Sequence, residues 1–318
     1  MPVWAIILIV LGVLFFIVLP AFIFDYAGRQ TVKTMSRDYQ GFKNLNMDIS
    51  FYKNGPTAKL AEEGVEFMKS LPQEEVHIKS FDDLNLQAYV FMNEKKTNRF
   101  FLGMHGFKSG PLHEYAPYIK RYLDLGFNVI LPCERAHYKS EGKYLTMGAK
   151  ERYDVLSWTK YIVERFGENV EILIQGISMG GATVCLASNL DLPKQVIGII
   201  SDCAYSSFKD QMIYTMKHNF KIPTWPLVDI IGLHVKMKVG VDFNGETPLE
   251  AVRNAKVPMF FAHGEKDEMV PFKFVNELYE ACGSKKKLYT VEGANHAEAG
   301  PTNLDNYFNA IVEFFDIK

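Results

Sequence analysis

Apolar and polar positions along this chain follow three rhythms in turn. From Val3 to Phe24 there are 22 residues without a charge, dominated by Ile, Leu, Val and Phe. At 1.5 Å per residue a helix of that length reaches about 33 Å, enough to span a bilayer. No Lys or Arg precedes the run and no clear A-x-A site follows it, which disfavours a cleaved signal peptide. A buried core helix is rarely so uniformly apolar. Residues 1–24 therefore read as a membrane anchor, and Arg29, Lys33, Arg37 and Lys43, all on its C-terminal side, place the bulk of the chain in the cytoplasm by the positive-inside rule. Residues 25–75 read as a polar connector followed by an amphipathic helix between Pro56 and Pro72, where Leu60, Gly64, Phe67, Met68 and Leu71 recur at helical spacing.

The rhythm then shortens. Val76–Phe81 and Leu84–Met92, parted by Asp82-Asp83, predict an antiparallel hairpin. Beyond it, apolar runs Phe100–Met104, Val129–Pro132, Val170–Ile174, Val196–Ile200, Val257–Ala262 and Lys287–Val291 alternate with helical stretches near Tyr115–Leu125, Ala149–Phe166, Gly181–Asn189, Phe272–Cys282 and Leu304–Phe315. Continuous apolar strands alternating with helices predict an α/β fold over residues 76–318, a mostly parallel sheet covered on both faces. Residues 205–246 exceed what one strand-helix-strand passage needs. Their Phe208, Met212, Tyr214, Met216, Phe220, Trp225, Leu227, Ile230 and Ile231 are too dense for a solvated loop.

Composition narrows the function more by exclusion than by assertion. An apolar content of 48% over 318 residues supports a large core. A net charge of −2 and a pI near 6.5 leave no electrostatic footprint for nucleic acid, and the one basic run, Lys285–Lys287, reads as a solvated turn. Cys133, Cys185, Cys203 and Cys282 fall singly, without C-x-x-C spacing, and read as free thiols in a reducing compartment. No His/Cys/Asp cluster has metal-ligand spacing, and no cofactor is implied.

The chemistry concentrates in Ile172–Gly181, Ile-Leu-Ile-Gln-Gly-Ile-Ser-Met-Gly-Gly. An apolar strand ends at Gly176, Ser178 follows, and Gly180-Gly181 lead into a helix. This is the G-x-S-x-G pattern, in which a serine is raised on a sharp strand-to-helix turn whose neighbours must be almost free of side chain. A serine hydroxyl needs a base, an orienter for that base, and donors for the oxyanion. His296 lies in a Gly-rich loop after the last strand, and Asp267 directly follows the strand Val257–Ala262. Glu265 and Glu268 are alternative orienters, whereas His105 and His137 read as loop-fixing hydrogen bonders. His77, His113, His218, His234 and His263 have no catalytic spacing.

In these residues the chain resembles the serine α/β-hydrolases of the esterase, lipase and peptidase-like branch. The chain order Ser178, Asp267, His296 is that superfamily's order. The resemblance implies Ser178 as nucleophile, His296 as general base and then acid, and Asp267 as orienter. It further implies the backbone N–H groups of Phe107, after the strand ending in His105-Gly106, and of Met179 as the oxyanion hole. In the loop Glu134–Gly142 the usual Arg-Gly-His-Gly-x-Ser form is altered: Ala136 and Tyr138 stand where glycines are common. Residues 205–246 match the position of a small helical cap, with Trp225 as a candidate substrate contact. The activity expected is cleavage of an ester, thioester or amide with an apolar acyl part through an acyl-enzyme. An acyltransferase, a peptidase or a catalytically silent, membrane-anchored interaction protein are the alternatives. A peptidase is disfavoured because relatives of that kind usually carry a large gating domain. Epoxide hydrolases and dehalogenases place aspartate at the elbow, which excludes them.

Overall fold

A computed structural model describes residues 1–39 and 55–317. Helix α1 runs from Val3 to Thr34, with a π turn at Leu14–Val18. Its apolar half stands clear of the rest of the chain, with Val3 73% and Phe16 76% exposed. That excludes a core helix and leaves a segment long and apolar enough to cross a membrane. The helix does not end where charge begins. Residues 25–34, the start of the expected polar connector, continue it, with an Asp25–Arg29 ion pair one turn apart and Ala27 and Val32 turned into a cluster of buried side chains. Arg29 and Lys33 lie on this extension, Arg37 donates to the carbonyls of Ser140 and Tyr138, and Lys43 lies outside the described residues.

Helix α2 (Gly55–Ser70) follows the expected spacing and buries Ala61 and Met68. The sheet has eight strands: β1 (Glu74–Lys79), β2 (Asn85–Phe91), β3 (Arg99–Met104), β4 (Phe127–Pro132), β5 (Glu171–Ile177), β6 (Val196–Asp202), β7 (Met259–Gly264) and β8 (Lys286–Val291). Their order is β1-β2-β4-β3-β5-β6-β7-β8. The hairpin β1–β2 and the pair β2–β4 are antiparallel and all other pairs are parallel. The apolar runs hide a period of two. Phe100, Leu102, Ile172, Ile174, Met259 and Phe261 point to one core, while Phe101, Leu173, Phe260 and Ala262 point to the other. A strand buried on both faces needs no polar alternation.

The connecting helices are α3 (Pro111–Tyr115), α4 (Ile119–Asp124), α5 (Glu151–Phe166), α6 (Met179–Ala187), α7 (Phe208–Thr215), α8 (Leu227–Val239), α9 (Pro248–Arg253), α10 (Lys273–Ala281) and α11 (Leu304–Phe315). The stretch Tyr115–Leu125, expected as one helix, is broken between α3 and α4. The basic run Lys285–Lys287 is not a solvated turn: Lys286 and Lys287 open the edge strand β8. Their charges are used there, Lys286 against the last carbonyls of α10, Glu280 and Cys282, and Lys287 against Glu313 of α11. Lys285 donates to the Phe314 carbonyl.

Residues 205–246 are helical as expected. Met216, Leu227, Val228, Ile231, Val235 and Val239 pack with Met179 and with Phe24, Ala27 and Val32 of α1. The cap is thus joined to the N-terminal helix. Gly28 makes the joint possible, because a Cβ there would stand 2.5 Å from Cγ of His234. The His234 ring sets Nε2 3.0 Å from Asp25 Oδ1 and Nδ1 3.0 Å from the Ile230 carbonyl, and these two acceptors raise its proton affinity. Overpacking of this kind costs about 1–3 kcal/mol. Gly28→Val should lower the thermal midpoint by several degrees, and adding His234→Ala should restore most of the loss. Scanning fluorimetry of the detergent-solubilised protein checks this, and a fully additive double variant would contradict the contact.

Candidate active site

Strand β5 delivers Ser178 to the turn before α6. Its backbone has φ 58° and ψ −116°, a strained conformation for a residue with a side chain. Strand and helix approach so closely that a Cβ on Gly176 would lie 2.0 Å from the carbonyl oxygen of Gly180. One on Gly180 would lie 2.1 Å from that of Met104 at the end of β3. Only glycine fits either place. The Ser178 N–H is tied to the Asp202 carbonyl of β6 at 2.9 Å. Beneath the turn, Gln175 bridges the hydroxyls of Tyr122 and Tyr307, and the Tyr115 hydroxyl donates to the carbonyls of Met104 and Gln175.

Because β5, β7 and β8 are parallel, the loops beyond them open at one end of the sheet. His296, after β8, places Nε2 2.9 Å from Ser178 Oγ, and its Nδ1 is 2.7 Å from Oδ2 of Asp267, after β7. All three residues are at most 7% exposed. With Nδ1–H given to the carboxylate, Nε2 is left to accept from the serine hydroxyl. The other Asp267 oxygen accepts from the N–H groups of Met269 and Val270 at 2.9 and 2.8 Å. Burial alone would raise this carboxyl, but the charge of His296 and hydrogen bonds from His263 and His296 outweigh it and hold Asp267 well below the usual carboxylate range. Asn295 Oδ1 accepts from Glu268 N–H and His296 N–H, joining the two loops. Glu265, one of the alternative orienters, is exposed and takes the Thr290 hydroxyl; Glu268 is also exposed.

Met179 is the first residue of α6, so its N–H lies outside the helical ladder, at the positive end of the helix. The β3 terminus presses on Gly180, which brings the His105-Gly106-Phe107 loop against this helix start, and Phe107 packs in the same cluster as Met179. His105 fixes that loop. Its Nε2 accepts from the Glu134 N–H at 3.0 Å, so the proton sits on Nδ1, facing the Gly106 carbonyl at 2.9 Å. The ring of His137 stands edge-on to it. Ala136 and Tyr138 take φ of 61° and 45°: the loop keeps the left-handed turns that glycine would supply, at a strain of about 1–2 kcal/mol per residue. Trp225 precedes Pro226 at the start of α8 and is 81% exposed.

Two neighbours of the constellation escaped the sequence. His263, dismissed for want of spacing, sets Nε2 3.2 Å from Asp267 Oδ2 and 3.0 Å from the Val270 carbonyl. Cys203, after β6, puts Sγ 3.9 Å from Nε2 of His296. The only signal of either was its place at a strand end.

The model of the prolyl oligopeptidase family matches residues 136–318, a stretch that contains Ser178, Asp267 and His296. The chain belongs to the prolyl oligopeptidase family. Membership carries with it the α/β-hydrolase fold seen in the sheet. Phe107 lies before the matched region. The uncharacterized protein YqkD of Bacillus subtilis is 29% identical over 199 residues, which span 63% of this chain and 65% of YqkD, just under two thirds of that relative. Protein bem46 of Schizosaccharomyces pombe is 25% identical over 267 residues, 82% of this chain and 80% of its own. The fold is shared with an esterase of Pyrococcus furiosus at a TM-score of 0.62 and 23% identity, over 83% of this chain and 94% of the esterase. It is also shared with an acylaminoacyl peptidase of Pyrococcus horikoshii at a TM-score of 0.58 and 18% identity, over 79% of this chain and 43% of the peptidase.

Burial pulls His105 down from the ordinary 6.5 to about 4. Between those values the unfolded chain binds the extra proton and the folded one does not, so stability falls as pH drops through that window. Protonation would also set an N–H against the Glu134 N–H. Urea unfolding at pH 7 and pH 5 should show a loss for the wild type that is smaller in His105→Gln; equal losses would remove His105 as the cause.

Proposed function

We propose that this family member cleaves ester-type bonds, in esters, thioesters or amides, through an acyl-enzyme on Ser178. The observation that carries the reading is the buried relay from Ser178 Oγ through His296 to Asp267, at 2.9 and 2.7 Å. Ser178 Oγ attacks the substrate carbonyl while His296 Nε2 takes its proton, and Asp267 stabilises the imidazolium that forms. The oxyanion is received by the N–H groups of Met179 and Phe107. Collapse expels the leaving group, which takes the proton from His296. Water, deprotonated by the same nitrogen, then releases the acid and regenerates the hydroxyl. The fold shared with the esterase supports an ester as substrate.

Ser178→Ala should abolish fluorophosphonate labelling and lower aryl-ester turnover by at least about 10⁴-fold, with circular dichroism unchanged. Labelling that survives this change would end the proposal. The apolar acyl part falls to Met216 and Phe107, which share a cluster with Met179. Each buried methylene contributes about 0.8 kcal/mol, close to fourfold in rate. On a p-nitrophenyl ester series from acetate upward, kcat/KM should rise with chain length, and Met216→Ala should flatten that rise while leaving acetate nearly unchanged. A flat wild-type profile would refute the apolar wall.

In the same reading residues 3–24 are a single-pass anchor and the hydrolase domain faces the cytoplasm, on the strength of Arg29, Lys33 and Arg37 beyond the apolar run. The four thiols are all buried and free, which suits a reducing compartment. Protease digestion of right-side-out vesicles should leave the domain intact; its loss would reverse the orientation.

A further inference from the structure

Cys203 takes no part in the relay, yet it is fully buried against it. Its sulfur lies 3.9 Å from Nε2 of His296, the nitrogen that also faces Ser178 Oγ. The ligand atoms of Cys203, His296 and Asp267 all lie within 4.8 Å of one another, and among the described residues no other group of three does so. A tetrahedral zinc, with Zn–S of about 2.3 Å and Zn–N of about 2.05 Å, holds sulfur and nitrogen roughly 3.6 Å apart. The pair is therefore within about 0.3 Å of the separation one ion imposes. Burial and the nearby carboxylates of Asp202 and Asp267 raise the thiol's proton affinity, and the same negative charges favour a cation beside the sulfur. Asp267 on Nδ1 supplies the carboxylate–histidine support that metal-bound imidazoles have.

We propose that Cys203 and His296 form an inhibitory site for a soft divalent cation, zinc or cadmium, held between the thiolate and Nε2 with solvent completing the shell. The proposal rests on His296 being the general base. The cation accepts the Nε2 lone pair and one from sulfur, and the thiol proton leaves to solvent. No atom changes oxidation state. Ser178 thereby loses its proton acceptor, and attack on the carbonyl stops.

The test titrates cadmium chloride into the full-length protein in detergent, following the ultraviolet cadmium–thiolate band and, separately, fluorophosphonate labelling. The wild type should develop the band at one ion per chain, with labelling lost in parallel and restored by EDTA. Cys203→Ala should label at close to the wild-type rate, lack the band, and need at least tenfold more cadmium for the same inhibition. Cys203→Ser serves if the alanine variant is unstable. His296→Ala should weaken the band, and Ser178→Ala should keep it while taking no label. A band or cadmium sensitivity unchanged in Cys203→Ala, or a band absent from the wild type, would overturn the site. A wild type that shows the band but never labels would instead count against the hydrolase reading.

Discussion

Everything functional in this molecule depends on three backbones meeting without side chains between them. At the end of β5 the chain must turn into α6 while β3 ends alongside, and the gap left at Gly176 and Gly180 is too small for one methyl group. Ser178, set between these glycines, is forced into a conformation that serine avoids, and the hydrogen bond from its N–H to Asp202 holds it there. The strain is borne by the parallel sheet, whose two cores clamp β3, β5 and β6 from both faces.

From that contact the remaining geometry follows in layers. Parallel neighbours end on the same side, so the loops after β7 and β8 meet beside the serine, and Asn295 ties one to the other. His296 is oriented by a carboxylate that is itself pinned by two N–H groups and a second histidine. The loop after β3 is shaped by His105 in one tautomer, a requirement that keeps a buried imidazole neutral. Its neighbour Glu134 has both carboxyl oxygens buried without a partner, and burial raises its proton affinity well above the usual carboxylate range. Burial around the site thus disfavours charge on His105 and Glu134, while Asp267 keeps its charge through its histidines.

The cap connects this chemistry to the N-terminal helix. Residues of α8 face both the Ser178 end of the sheet, through Met179 and Met216, and α1, through Gly28 and Asp25. The N-terminal helix thus continues past its apolar segment and packs on these helices.

The alternation of strands and helices, the hairpin, the apolar N-terminal run and the elbow were all legible in the sequence, because each rests on a local rule: side-chain period, helix length, or the exclusion of Cβ at a tight turn. Ser178, His296 and Asp267 were legible for a related reason, since each sits at the end of an apolar run whose strand character is itself local. The left-handed turns at Ala136 and Tyr138 were not, because residues with side chains adopt them only when the surrounding loop compels it. Nor were the partners of His263 and Cys203, whose contacts span separate loops. The 81% exposure of Trp225 was not legible either, because apolar density in a sequence does not say which side chains face inward. The basic run at β8 was misjudged, since a charged residue reads as solvated until tertiary structure supplies its partner. Local sterics wrote the elbow and the strand ends into the chain, and only packing over long sequence distances decided which side chains meet there.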